Sequence, residues 1–114
     1  MKTLEKMGCQ GDVLFRRVDA IPVNAKAVKE EKRIIVTHSE TGHHHAIDID
    51  DSGAVTRFEV GDPMVCYLSI AGDGAEVVHH RPFDTHETVK LLAGCWVVRR
   101  QREYTPEGWR RVED

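Results

Sequence analysis

The chain has 114 residues, of which 40% are hydrophobic and 31% are charged, and its formal net charge is −3. This length fits a single domain over residues 1–114 with a core of its own, and the composition excludes an intrinsically disordered chain. The weak net charge does not favour nucleic acid or a membrane surface as a partner, and no apolar run approaches the ~20 residues that span a bilayer.

Residues 1–10 carry no patterned apolar run and predict a loose N-terminal arm. The same segment lacks the apolar core of a signal peptide, which favours a cytoplasmic location. The cysteines agree with that location, because they are odd in number, are widely spaced and form no CxxC pair. They are Cys9, Cys66 and Cys95.

Short segments rich in Val, Ile, Leu, Phe and Tyr follow, with Gly, Asp or Pro between most of them, and predict about eight strands. They are residues 12–18, 33–38, 43–50, 54–60, 64–71, 75–80, 85–92 and 95–104. The polar, lysine-rich residues 24–32 are interpreted as an exposed loop, and residues 72–74 as a hairpin turn. The spacing predicts an all-β fold, a small antiparallel barrel or sandwich.

The C-terminal segment "TPEGWRRVED" favours a short helix, because Thr105 suits an N-cap and Pro106 suits the first helical position. The arginines near this end alternate with carboxylates, which favours an ion-paired, solvated face over a phosphate-binding patch. They are Arg99, Arg100, Arg102, Arg110 and Arg111. Trp96, Tyr104 and Trp109 also lie here and predict a homo-oligomer through the last strand and tail. In the alternative, Trp109 caps its own barrel.

The segment "HHHAIDID" over residues 43–50 holds three of the seven histidines. In a strand, alternate residues share a face, so His43 and His45 lie with Ile47 and Ile49, opposite the aspartates. The isoleucines mark the inner face, and the two histidines are therefore predicted to point inward. A His-x-His pair on one strand face suits two ligands that converge on one metal ion.

A second group of histidines follows a hairpin. Alternation with Val77 predicts His79 inward, and His80 is the alternative at this place. His86 begins the next strand, where strict alternation puts it outward unless a bulge intervenes. The sequence thus predicts a site for a divalent transition metal, zinc or similar, with the ligands His43, His45, His79 and His86. A hydrogen-bonded histidine–carboxylate cluster without metal and a dispersed, solvent-facing set are the alternatives.

The motifs "QGDVLFRRV", "TGHHHAI" and "VVRRQREYTPEG", with the later histidine pair, resemble a loosely defined group of small uncharacterised bacterial and prophage-type proteins. This resemblance spans most of residues 10–112 and implies no particular activity. His-x-His on a strand is also similar to the first motif of the cupins, which bind metal inside a barrel. Here, however, Gly42 directly precedes the histidines, no glutamate follows before Glu59, and the second cupin motif is absent.

Three functions compete on these grounds. The first is a metal-binding β domain with a histidine cluster, and the second is a metal-dependent, cupin-like enzyme that acts on a small organic substrate. The third is a metal-free oligomeric interaction module of prophage origin. Structural zinc sites use four protein ligands and catalytic sites keep one position open, so the number of ligands separates the first two.

Overall fold

The structure of the chain is a computed structural model. It describes residues 2–28, 33–37, 44–48, 55–80, 88–100, 102–105 and 108–111. Side chains are described for residues 2–28, 45–47, 55–78 and 88–100. Within these ranges the chain forms thirteen β-strands, and no helix there is long and apolar enough to cross a membrane.

One sheet has five strands in the order β1-β10-β9-β6-β5. The strands are β1 (Lys2–Leu4), β5 (Arg33–Thr37), β6 (His44–Asp48), β9 (Ala75–His80) and β10 (Val89–Leu91). β1 runs parallel to β10, and the other neighbours are antiparallel. The ladder between β5 and β6 contains an irregularity between Ile35 and Thr37.

The second sheet has six strands in the order β2-β3-β11-β8-β7-β4, all antiparallel to their neighbours. The strands are β2 (Met7–Gln10), β3 (Val13–Val18), β4 (Lys26–Val28), β7 (Val55–Glu59), β8 (Val65–Ile70) and β11 (Gly94–Arg100). The all-β prediction is confirmed. Among the described strands neither sheet closes into a barrel, so the barrel alternative is wrong for this part of the chain.

Within the described side chains, the two sheets supply one hydrophobic core. In β8 the burial alternates, with Cys66, Leu68 and Ile70 buried and the residues between them half-buried, as a strand with one covered face requires. The other buried core residues come from both sheets: Leu4, Val13, Phe15, Ile47, Ala75, Val77, Val89, Leu91, Trp96 and Val98. The apolar periodicity of the sequence therefore identifies the inner faces of the sheets.

The predicted C-terminal helix is wrong for the residues that the structure describes there. β12 (Arg102–Thr105) pairs with β13 (Gly108–Arg111) as a two-stranded antiparallel sheet. The register places Tyr104 opposite Trp109, and aromatic cross-strand pairs stabilise hairpins. Gly108 also weakens a helix, so the paired strands form here in place of the helix that the capping signal at Thr105 predicts. The predicted homo-oligomer and the cytoplasmic location stay predictions.

Three short strands within residues 2–28 were not predicted from the sequence. Residues 2–4 and 7–10, predicted as a loose arm, form β1 and β2 and pair with β10 and β3. Leu4 is buried there in the common core. Part of the predicted loop over residues 24–32 forms β4, which pairs with β7 at the edge of its sheet. Strands this short show too few alternations to be recognised before their partners are known.

The turn between β8 and β9 gives a test of backbone packing. Gly72 and Gly74 both have positive φ, 68° and 99°, but a Cβ at Gly72 would meet nothing within 4 Å. A Cβ at Gly74 would collide with the carbonyl oxygen of Leu91. We expect Gly74→Ala to cost about 1–3 kcal/mol more than Gly72→Ala, because both share the φ strain and only Gly74→Ala adds the collision. Equal free energies of unfolding in urea for the two variants would contradict this packing.

Candidate functional site

The candidate site is centred on His45 in β6. His45 is fully buried, as alternation predicts, and Ile47 on the same face is buried too. The register of β6 with β9 places His45 directly opposite His79, and His44 opposite His80. Directly opposite residues of an antiparallel pair have Cα atoms about 4.5–5.5 Å apart. The pairing thus brings two predicted metal ligands together from segments more than thirty residues apart.

Gln10, the last residue of β2, determines the tautomer of the neutral His45 ring. Its amide nitrogen donates to the carbonyl oxygen of Val77 at 2.9 Å, so its Oε1 is turned towards His45. Oε1 lies 2.8 Å from Nδ1 of His45. Because an amide oxygen can only accept, Nδ1 must carry the hydrogen and donate. The neutral form of His45 therefore has its lone pair on Nε2.

Asp12 faces that second ring nitrogen. Its Oδ1 lies 3.6 Å from Nε2 of His45, and its side chain is 1% exposed. The other carboxylate oxygen, Oδ2, accepts two hydrogen bonds from Arg100, from Nε at 2.9 Å and from Nη2 at 2.6 Å. The Arg100 side chain is 3% exposed, so this ion pair is buried. Such a pair holds the carboxylate in one orientation, with Oδ1 directed at the imidazole.

We call Gln10, Asp12, His45 and Arg100 the polar cluster. Gln10 and Arg100 lie on β2 and β11 of the six-stranded sheet, Asp12 lies between β2 and β3, and His45 lies on β6 of the five-stranded sheet. The hydrogen bonds of Gln10 with His45 and Val77 therefore connect the two sheets across the core, whereas the Asp12–Arg100 ion pair lies within the six-stranded sheet. Buried polar groups are tolerated when they are paired in this way.

The structure describes only two of the four predicted metal ligands. His45 is in the polar cluster, and the backbone of His79 lies opposite it. His43 and His86 lie outside the described residues, and the assignment of all four histidines as ligands stays a prediction. Within the described side chains, no group of three or more histidine, cysteine, aspartate and glutamate residues is close enough to hold a metal ion.

Sequence reasoning missed three members of the polar cluster. Gln10 is the last residue of the predicted loose arm, Asp12 is the first residue of the predicted strand 12–18, and Arg100 belongs to the predicted solvated basic face. One signal was present, since alternation along β11 puts Arg100 on the same face as Trp96 and Val98, both of which are fully buried. An arginine in that position needs a buried acceptor, and Asp12 provides it.

Fold and site together define a small all-β protein with a buried polar cluster between two sheets. The chain belongs to the family described as Domain of unknown function (DUF8820), whose model matches residues 9–101. All four members of the polar cluster fall within that match. The predicted resemblance to an uncharacterised family agrees with it, whereas the likeness to cupins stays a prediction. No curated protein and no solved structure matches the chain significantly.

Proposed function

We propose that this protein is a β-sandwich that binds one divalent transition metal ion, zinc or similar, at the polar cluster. The sandwich arrangement is supported by the hydrophobic core of the described residues, to which both sheets contribute. The observation that carries the metal proposal is the placement of Nε2 of His45 opposite Oδ1 of Asp12, with Nδ1 occupied by Gln10. Metal-ligating histidines commonly donate their other ring N–H to an oxygen acceptor in this way.

The chemistry of Nε2 of His45 and Oδ1 of Asp12 favours a cation between these two atoms. Neutral His45 presents a lone pair at Nε2, and ionised Asp12 presents lone pairs at Oδ1, so the two atoms are both acceptors. A proton or a metal ion between them turns this repulsion into attraction. Two ligands about 2.1 Å from one ion lie roughly 3.0–3.4 Å apart, as the angle between them goes from octahedral to tetrahedral. The observed 3.6 Å separation is close to the upper end of that range.

Neighbouring histidines supply the further ligands that a metal requires. His79 lies opposite His45 in the β6–β9 ladder. His43 is two residues from His45, and a His-x-His pair on one strand suits a single ion. With His86 as a fourth histidine, the donor set is mainly imidazole, which suits zinc and similar transition metals.

A metal-free role is the second candidate, and the Asp12–Arg100 ion pair favours it. The Arg100 guanidinium already neutralises the Asp12 carboxylate, and a hydrogen on Nε2 of His45 would remove the repulsion between the two acceptor atoms without a metal ion. In that case the polar cluster connects the sheets and specifies their alignment. Buried ionic groups have this role in some proteins.

The test is the metal content of protein produced without a histidine tag, compared between two matched double variants. We expect about one metal ion per chain in the wild type and loss of that metal in His45→Gln/His79→Gln, because both proposed ligands are removed. His44→Gln/His80→Gln is the control, since it changes the adjacent cross-strand pair and the same number of histidines. Circular dichroism verifies that each variant is folded.

Two results would contradict the metal proposal. One is wild-type protein that stays metal-free after incubation with zinc, cobalt or nickel and desalting. The other is a His45→Gln/His79→Gln variant that binds as much metal as the control. Spectra of the cobalt-loaded protein also give the number of ligands, and a site with an exchangeable water would support the cupin-like enzyme over a structural site.

A further inference from the structure

A second candidate site lies at the other end of the β2–β3 hairpin from the polar cluster. It is an open pocket of about 640 Å³. Its charged lining consists of Lys6, Arg16, Arg17 and Asp19. Its apolar lining comes from Met7, Val18 and Cys95. We call it the basic pocket. Its volume falls in the range of about 300–1,000 Å³ that is typical of small-molecule sites.

The charge of the basic pocket is unbalanced. Three cationic side chains line it against the single carboxylate of Asp19. Among the described residues, no ion pair forms to Lys6, Arg16 or Arg17. Positive residues that line one cavity without an ion-paired carboxylate create a local positive potential, although the chain as a whole has a net charge of −3.

Arg17 is held in place by groups that leave its charge intact. Its Nη1 donates to the carbonyl oxygen of Glu5 at 3.1 Å, and its Nη2 donates to the carbonyl oxygen of Ala93. The guanidinium also lies over the ring of Trp96, with Cζ 5.7 Å from the ring centroid. Carbonyl groups and an aromatic face orient a guanidinium without neutralising it. The fold therefore orients the guanidinium of one of the residues that line the pocket without neutralising it.

Gly94 provides the space for this guanidinium. Its φ is 140°, in the region that favours glycine, and a Cβ there would lie 2.9 Å from Nε of Arg17 and 3.0 Å from Nη2. Any larger residue would have to displace the Arg17 side chain. The observed orientation of Arg17 therefore requires a glycine at position 94.

We propose that the basic pocket binds a small organic anion, with a phosphate or carboxylate group on a compact apolar body. Arginine forks pair with both anionic groups, and Lys6 adds a point charge. The apolar body would pack on Met7, whose side chain is 60% exposed, and on the half-buried Val18 and Cys95. An exposed thioether adapts readily to an apolar ligand.

Nuclear magnetic resonance titration of ¹⁵N-labelled protein at low ionic strength tests the proposal. The probes are phenyl phosphate, benzoate, inorganic phosphate and, as an uncharged analogue, benzyl alcohol. We expect phenyl phosphate or benzoate to shift the amide signals of residues 6–7, 16–19 and 94–95 with saturation by about 10 mM. Inorganic phosphate should bind more weakly because it lacks the apolar body. Whichever of phenyl phosphate and benzoate binds more tightly identifies the anionic group.

Matched arginine variants separate a built site from general electrostatic attraction. Arg16 and Arg99 are both exposed, and their partners in the β3–β11 ladder are Val97 and Leu14. Only Arg16 lines the basic pocket. We expect Arg16→Ala to weaken binding about tenfold and Arg99→Ala to leave it nearly unchanged, although both remove one positive charge. Gly94→Ala should weaken binding as well, because it displaces Arg17.

Three outcomes would overturn the proposal: no saturable shift with either organic anion, equal weakening by Arg16→Ala and Arg99→Ala, or equally tight binding of benzyl alcohol. Arg16 is exposed and unpaired among the described residues, so its replacement is not expected to unfold the protein. The readout uses no metal, and the result is therefore independent of the proposed metal site.

Discussion

Replacement of Asp12 by alanine is expected to lower the free energy of unfolding by about 3–5 kcal/mol, measured by urea denaturation in the presence of a chelator. The variant leaves the Arg100 guanidinium, whose side chain is 3% exposed, without the carboxylate that accepts two of its hydrogen bonds. A buried charge without its counterion costs far more than a surface ion pair contributes. The chelator removes any contribution from bound metal.

Two further variants control this experiment. Asp12→Ala/Arg100→Met removes both charges, and we expect it to be more stable than Asp12→Ala alone, because no uncompensated charge remains. Arg99→Ala changes the exposed neighbour of Arg100 and should stay within about 0.5 kcal/mol of the wild type. A loss below about 1 kcal/mol in Asp12→Ala would mean that the pair is solvated and contributes like a surface ion pair.

Trp96→Ala is the second substitution with a large expected effect, a loss of about 3–5 kcal/mol in the free energy of unfolding. Trp96 is the largest fully buried side chain among the described residues, and its partners in the neighbouring strands are Arg17 and Leu68. Its Nε1 donates to the carbonyl oxygen of Leu92 at 2.9 Å. Truncation therefore creates a cavity, removes a hydrogen bond and takes away the ring beneath Arg17.

Comparison with Trp96→Phe separates these contributions. Phenylalanine keeps much of the ring but lacks the N–H donor, and we expect it to cost about 1–3 kcal/mol. Val23→Ala is the control for an exposed position, because Val23 is fully exposed and should tolerate the change. If Trp96→Ala unfolds at the same urea concentration as Val23→Ala, the assignment of Trp96 to the core is wrong.

The strands with clear periodicity were predictable because each segment carries its own signal. β8 alternates buried and half-buried residues over its whole length, and β3, β7 and β9 agree closely with the predicted segments. β1, β2 and β4 are only three or four residues long, so they lack enough alternations. The C-terminal segment holds a valid helix-start signal, and the cross-strand pairing of Tyr104 with Trp109 competes with it.

The site shows the same division between local and distant information. Alternation along β6 was sufficient to place His45 on the buried face. The partners of the polar cluster are separated along the chain by 35 residues for His45 and Gln10, and by 88 residues for Asp12 and Arg100. No periodicity connects positions so far apart. The pairing of β2, β3 and β11 brings Asp12 to Arg100, and the packing of the two sheets brings His45 to Gln10.

By itself the sequence determined the all-β class, the inner faces of the longer strands and the burial of His45, because these depend on the alternation of neighbouring residues. The tertiary structure alone decided that Arg100 is a buried partner of Asp12 and that Gln10 orients His45. It also decided that Arg17 lies over Trp96 beside an open pocket. The physical reason is that hydrogen bonds and ion pairs depend on distances in space, which are set by strand order and register and not by spacing along the chain.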